Sequence, residues 1–140
     1  MNIYMINELR EKIWLELNTL SWIAEVIDWI PVKFWWFPSI YFVFDRIESS
    51  VSDSNHYERV YYFRINIFQE TTTLWNIQSE KNLCSLLDSV IDCFDRSDLD
   101  WLDNYIEAVW WNIQAVETDS WPALHWIVLL GIHVPFTLSL

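Results

Sequence analysis

The chain has 140 residues, 53 % of them hydrophobic and 20 % charged, and its 8 Lys and Arg stand against 20 Asp and Glu for a formal charge of −12. That length suits one domain over residues 1–140, able to bury roughly two-thirds of its unfolded surface without metal or disulfide help, and the apolar content excludes disorder. The negative charge opposes docking on a phosphate backbone or an anionic leaflet, which excludes a direct nucleic-acid reader and a membrane-surface binder.

Ile6, Leu9, Ile13, Leu17 and Leu20 recur at three and four residues and predict a first helix of about Met5 to Leu20, with Leu15 nearly opposite its apolar stripe. From Ser21 to Phe37 the periodicity is lost, and Pro31 and Pro38 bracket the aromatic cluster KFWWF. An irregular or extended connection that packs is expected there. Ser39 to Glu48 then alternates as a strand, with Ile40, Phe42 and Phe44 on one face and Tyr41, Val43 and Asp45 on the other. SSVSDSN supplies a polar loop. Tyr57 to Gln69 alternates again, Tyr61, Phe63, Ile65 and Ile67 sharing one face, so the two strands are expected to pair antiparallel as a long hairpin.

Ser79 reads as the N-cap of a second helix reaching about Phe94 or Asp95, with Glu80 as a first-turn acid. Leu83, Leu86, Leu87, Val90, Ile91 and Phe94 fall in one arc of it, and Asp88, Asp92 and Asp95 fall in the opposite one as a solvated face. A polar connection follows, then a third strand from Tyr105 to Thr118, a turn over Asp119 to Pro122, and a fourth strand. The last twenty residues carry no formal charge, a length that allows a membrane span, but Pro122, Gly131, Pro135, two histidines and four β-branched residues favour a strand buried on both faces.

The resulting order is α-β-β-α-β-β. It predicts an α+β fold in which an antiparallel or mixed four-stranded sheet carries two helices on one face. The other sheet face should then be wet or covered by a neighbour. Eleven Trp, eight Phe and six Tyr exceed what a small core needs, and each buried indole requires an N–H partner, so some Trp should face another chain. Trp110 and Trp111 are adjacent in a strand and point to opposite faces, so one of them leaves the core. These two, with Trp35 and Trp36, are the expected interface anchors.

Chemistry is sparse. Cys84 and Cys93 lie about 13 Å apart along the second helix and on opposite flanks, beyond disulfide reach. His125 and His133 share a strand face but stand too far apart to hold one metal with each other, and His56 has no Cys or close second His, so each is read as a core or interface histidine. Asp95, Asp98, Asp100 and Asp103 lack the central Gly and terminal Glu of a calcium loop. Gly131 is the only glycine, which excludes Gly-rich phosphate cradles. No nucleophile elbow surrounds any Ser or Cys. The start, MNIYMINELREK, lacks the basic and apolar regions of a signal peptide. No enzyme, cofactor or metal is expected.

The whole chain resembles the tail terminator and tail-completion (head-tail joining) proteins of long-tailed bacteriophages in the order and texture of its segments. These are the amphipathic helix MINELREKIWLEL, the Pro-led strand FPSIYFVF, a polar tip, the strand YERVYYFRINIFQE, the helix SEKNLCSLLDSVIDCF and two closing strands. The tryptophan excess and the acidic balance depart from that pattern.

The resemblance implies a homo-oligomeric ring, usually a hexamer, that caps the tail tube in the virion and joins it to the head connector or stopper protein. The protein would be made in the host cytoplasm and use no membrane. Genome DNA would pass without specific binding, through a lumen lined by acids such as Asp45, Glu48, Asp53 and Glu58. The hairpin tip, Ser49, Ser50, Val51, Ser52, Asp53, Ser54, Asn55 and His56, would contact another chain. Two other readings compete: an acidic immunity or inhibitor protein that masks a basic toxin by charge complementarity, and a small-ligand binder with a Trp-lined pocket between helices and sheet.

Overall fold

The apolar spacing at Leu9, Ile13 and Leu17 does produce a helix, α1, over Met5–Leu17, with these three side chains buried and Leu15 exposed. It ends three residues before Leu20 because polar side chains take its last carbonyls. The Asn18 N–H and its Nδ2 both donate to the Trp14 carbonyl, at 3.1 and 2.7 Å, and the Thr19 hydroxyl donates to that of Glu16 at 2.6 Å. The computed structural model describes residues 5–20, 23, 25–27, 38–51, 56–71, 76–96, 103–108, 114–117 and 122–137.

The remaining elements are β1 (Glu25–Ile27), β2 (Ser39–Val51), β3 (His56–Glu70), α2 (Ile77–Arg96), β4 (Asp103–Ala108), β5 (Gln114–Glu117) and β6 (Pro122–Thr137). The fold is α+β, with two helices and one mixed sheet ordered β1-β2-β3-β6-β4, in which β5 also pairs with β6. The sheet has two strands more than the expected four. One is β1, which runs parallel to β2 inside the connection expected to be irregular or extended. The other arises because the third strand is divided. Ala108 pairs with Val128 and Gln114 with His125, so five residues, 109–113, separate β4 from β5 where only Trp126 and Ile127 separate their partners. Trp110 and Trp111 fall in that interval, outside the described residues.

Helix α2 starts earlier than expected, and its cap is Asn76 rather than Ser79. The Asn76 Oδ1 accepts the Ser79 N–H at 2.8 Å, and its Nδ2 donates to the Thr71 hydroxyl at 2.6 Å. Ser79 is thus the third residue of the helix, where it receives the cap. Leu83, Leu86, Val90 and Phe94 are buried, and Asp88 and Asp92 are exposed, as the arc predicts. Cys84 and Cys93 are both free thiols. The Cys93 Sγ lies 3.5 Å from the backbone carbonyl of Glu16 and 3.5 Å from its carboxylate, linking α2 to α1, and burial followed by the nearby Glu16 charge pushes this thiol up to about 12.

One core joins both helices to one face of the sheet: Ile40 and Phe42 of β2, Tyr61, Phe63, Ile65 and Ile67 of β3, and Leu124, Val128, Leu130 and Ile132 of β6. The hairpin alternation read from the sequence is therefore the real one. β6 lies between β3 and β4 and is buried on both faces, with Val128 and Leu130 toward the helices and Leu129 on the side away from them, which makes the uncharged C-terminal run an interior strand. No helix among the described residues is long and apolar enough to cross a membrane.

The second sheet face differs from expectation. Val60, Tyr62 and Leu129 form a buried cluster there, and Asn66 and Phe68 are buried too, all within a single chain. At these positions the face is neither wet nor dependent on a neighbouring subunit.

Candidate functional site

The outer half of the hairpin is the most distinctive surface among the described residues. At a strand rise of about 3.3 Å per residue, the fifteen residues of β3 span about 50 Å, whereas the twenty residues of α2 span about 30 Å. β3 is therefore longer than α2. Ile47 stands on the helix side and is 36 % exposed, while Tyr61 and Ile132 at the same level of β3 and β6 are buried, so its exposure belongs to the edge position of β2.

A β-bulge sets the facing of this outer half. Phe44 pairs with Phe63 and Arg46 with Tyr62, leaving Asp45 without a cross-strand partner. The extra residue keeps Ile47 on the helix side and puts Arg46 and Glu48 on the second face. Arg46 lies over the Tyr62 ring with its guanidinium carbon 4.3 Å from the centroid, a cation–π contact. Its Nε donates to Glu48 at 2.9 Å and its Nη1 to Asp45, while the Arg64 Nε donates to the other Asp45 oxygen at 2.8 Å. The Arg46 hydrogen bond holds the Glu48 carboxyl below the usual carboxylate range, and Glu48 and Asp45 raise the Arg46 guanidinium. One row further out, the Glu58 carboxylate meets the His133 Nδ1.

These pairs bear directly on the acids expected to line a lumen. Asp45, Glu48 and Glu58 are not bare: each has a basic partner, and Asp45, 14 % exposed at its side chain, has two. Arg46 and Arg64 offset the Asp45 and Glu48 charges locally, an arrangement that composition cannot show. Asp53 lies outside the described residues.

The tip is also shorter than expected. Ser49, Ser50 and Val51 belong to β2 and pair with Arg59, Glu58 and Tyr57, and His56 opens β3 opposite Thr137, so these four positions are strand rather than loop. Their polar composition yields to ladder pairing, because strand preference depends on context more than on residue type. Ser52, Asp53, Ser54 and Asn55, like Trp35, Trp36, Trp110 and Trp111, lie outside the described residues. Two tryptophans are within them. Trp14 is exposed on α1, and Trp126 packs partly buried against the core.

No protein-family model matches this chain, and the curated proteins contain none that matches it.

Beyond Tyr41, β2 has no outer neighbour among the described residues, since β1 pairs only with Ser39, Ile40 and Tyr41. Its bulge and its charged Arg46 and Glu48 are the devices by which an edge resists indiscriminate pairing. At the other end of the second face, Ser39 and His125 occupy one register level, but they stand two strands apart with Phe68 between them. At about 4.8 Å per strand their backbones are roughly 10 Å apart, too far for a serine–histidine hydrogen bond. No cluster of three metal-ligating side chains occurs among the described residues.

Proposed function

We propose that this chain is a structural, ring-forming subunit at the head-proximal end of a bacteriophage tail tube, where it ends tube growth and joins the tail to the head connector. The observation that carries the reading is the exposed, ion-paired edge of the long hairpin: Arg46, Ile47 and Glu48 of β2 are exposed, and Arg46 binds Asp45 and Glu48, while Val60, Tyr61 and Tyr62 of β3 beside them are buried. Such an edge suits docking between stacked rings, with the outer side of β2, which beyond Tyr41 has no neighbour among the described residues, as the contact between neighbouring copies. The bulge at Asp45 limits that contact to a partner shaped for it. A formal charge of −12 favours passage of DNA without phosphate-binding friction. Asp45, Glu48, Asp53 and Glu58 are the acids proposed to face the lumen.

Native mass spectrometry of the purified chain over a range of protein and salt concentrations tests this reading. The expected result is a ring of about six copies, or a monomer that forms one on tail-tube ends. A chain that stays monomeric throughout and ignores tube ends overturns it; fast, strongly salt-dependent binding to a basic protein would point to the inhibitor reading instead.

A further inference from the structure

On the sheet face away from the helices, the register places Glu25, Ser39, Phe68 and His125 side by side across β1, β2, β3 and β6. Two of these carry an unusual feature. Ser39 is fully buried and its Oγ has no hydrogen-bond partner, and the Oε2 of Glu25, the residue paired with it, is also buried without one. The other two belong to an aromatic stack. Phe68 lies parallel to the His125 ring, with centroids 4.3 Å apart, and 5.6 Å from the ring of Tyr41, which stands two residues beyond Ser39 on β2. His125 is fixed by a 3.0 Å hydrogen bond between its Nε2 and the Oδ1 of Asn66, itself 4 % exposed.

A buried polar atom left without a partner costs about 1–3 kcal/mol, so two on adjacent strands call for an explanation. A carboxylate oxygen accepts only, and a hydroxyl oxygen accepts as well as donates. The group that serves both is a donor with more than one N–H, positive to match the carboxylate and flat to lie against a ring. An ammonium offers the charge without the plane, whereas a guanidinium presents a rigid fork of donors able to span two acceptors and to stack on an aromatic face. We propose that Glu25, Ser39 and Tyr41 form a binding site for a guanidinium group, carried by a small molecule or by an arginine of a partner chain. Approach is from the β1 side, where Glu25 and Tyr41 are half-buried while Ser39, Asn66 and Phe68 are buried. Burial pushes the His125 imidazole down to about 4, so at neutral pH the wall behind the site adds no positive charge. The site does not depend on assembly into a ring.

Calorimetric titration of the full chain with propylguanidinium, propylammonium and propylurea tests the proposal. Propylguanidinium is expected to bind in the millimolar range or tighter, and the ammonium and the neutral urea about tenfold more weakly or not at all. Glu25→Gln should weaken the guanidinium about tenfold and Ser39→Ala several-fold, whereas Glu48→Gln on the far hairpin should change nothing. Thermal unfolding of each variant without ligand separates lost binding from lost folding. A blocked Gly-Arg-Gly peptide that binds tighter than propylguanidinium marks a protein arginine as the source, and the reverse order marks a small molecule. No propylguanidinium binding up to about 10 mM, or equal binding in the folded Glu25→Gln and Glu48→Gln variants, overturns the site and leaves the two atoms to ordered water.

Discussion

Phe63→Ala is expected to destabilise the protein by about 3–5 kcal/mol, enough to consume a large part of the roughly 5–15 kcal/mol that separates folded from unfolded domains. Phe63 is fully buried in β3, with β2 on one side and β6 on the other, and it sits opposite Phe44 and Leu130. Its ring meets Phe44 edge to face at 5.6 Å and 70°. The truncation removes this contact together with the apolar surface shared with both helices, and a rigid sheet has little freedom to collapse into the gap. For a domain of this size the midpoint of thermal unfolding should fall by roughly 10–15 °C. Leu15→Ala, on the exposed side of α1, is the control and should stay within about 0.5 kcal/mol of the parent. A Phe63→Ala loss below about 1 kcal/mol would mean that this layer is not the core.

Acid should weaken the fold through one histidine. Burial pushes His125 down from 6.5 to about 4, and no charged residue contributes to the shift. Between those two values the unfolded chain holds a proton on this imidazole and the folded chain does not. Lowering the pH through that window therefore favours unfolding. The contribution of a neutral, buried His125 is complete above about pH 6.5, declines as the pH falls, and is gone below about pH 4, a total of about 3 kcal/mol. His125→Gln keeps a hydrogen-bonding group beside Asn66 and does not titrate. Denaturant unfolding of both proteins from pH 7 to pH 4 should show the parent losing about 3 kcal/mol more than the variant across the window. Parallel pH profiles would place the imidazole in contact with water.

The parts of the fold that were legible in the sequence are those governed by local periodicity. Three- and four-residue spacing fixed the buried stripes of α1 and α2, and alternation fixed the faces of Ile40, Phe42, Phe63 and Ile65, because each depends only on the geometry of its own element. The bulge was missed, since Ser39 to Glu48 reads as one unbroken alternation, and it left only a faint local trace. Apolar positions run 40, 42, 44 and then 47, and that step of three is the trace of Asp45 slipping out of register. The row of Glu25, Ser39, Phe68 and His125 was not legible. It needs β1 to lie parallel to β2 and β6 to insert beside β3, and both pairings join segments whose neighbourhood no local pattern specifies. The Asn76 cap was missed because Ser79 and Glu80 offered a plausible start three residues later. The tertiary hydrogen bond from Asn76 to Thr71 belongs to the choice of the earlier one.

Because Asp45 has no counterpart in β3, β2 can lose it without turning other side chains over. A chain lacking it would run from Phe44 directly to Arg46, and Arg46, Ile47 and Glu48 would keep the faces they now hold. Removal of Val43 instead, with the outer pairing kept, would send Phe44 outward and press Asp45 against the helix side. Within β2, the bulge is therefore a place where a deletion straightens the strand instead of inverting it.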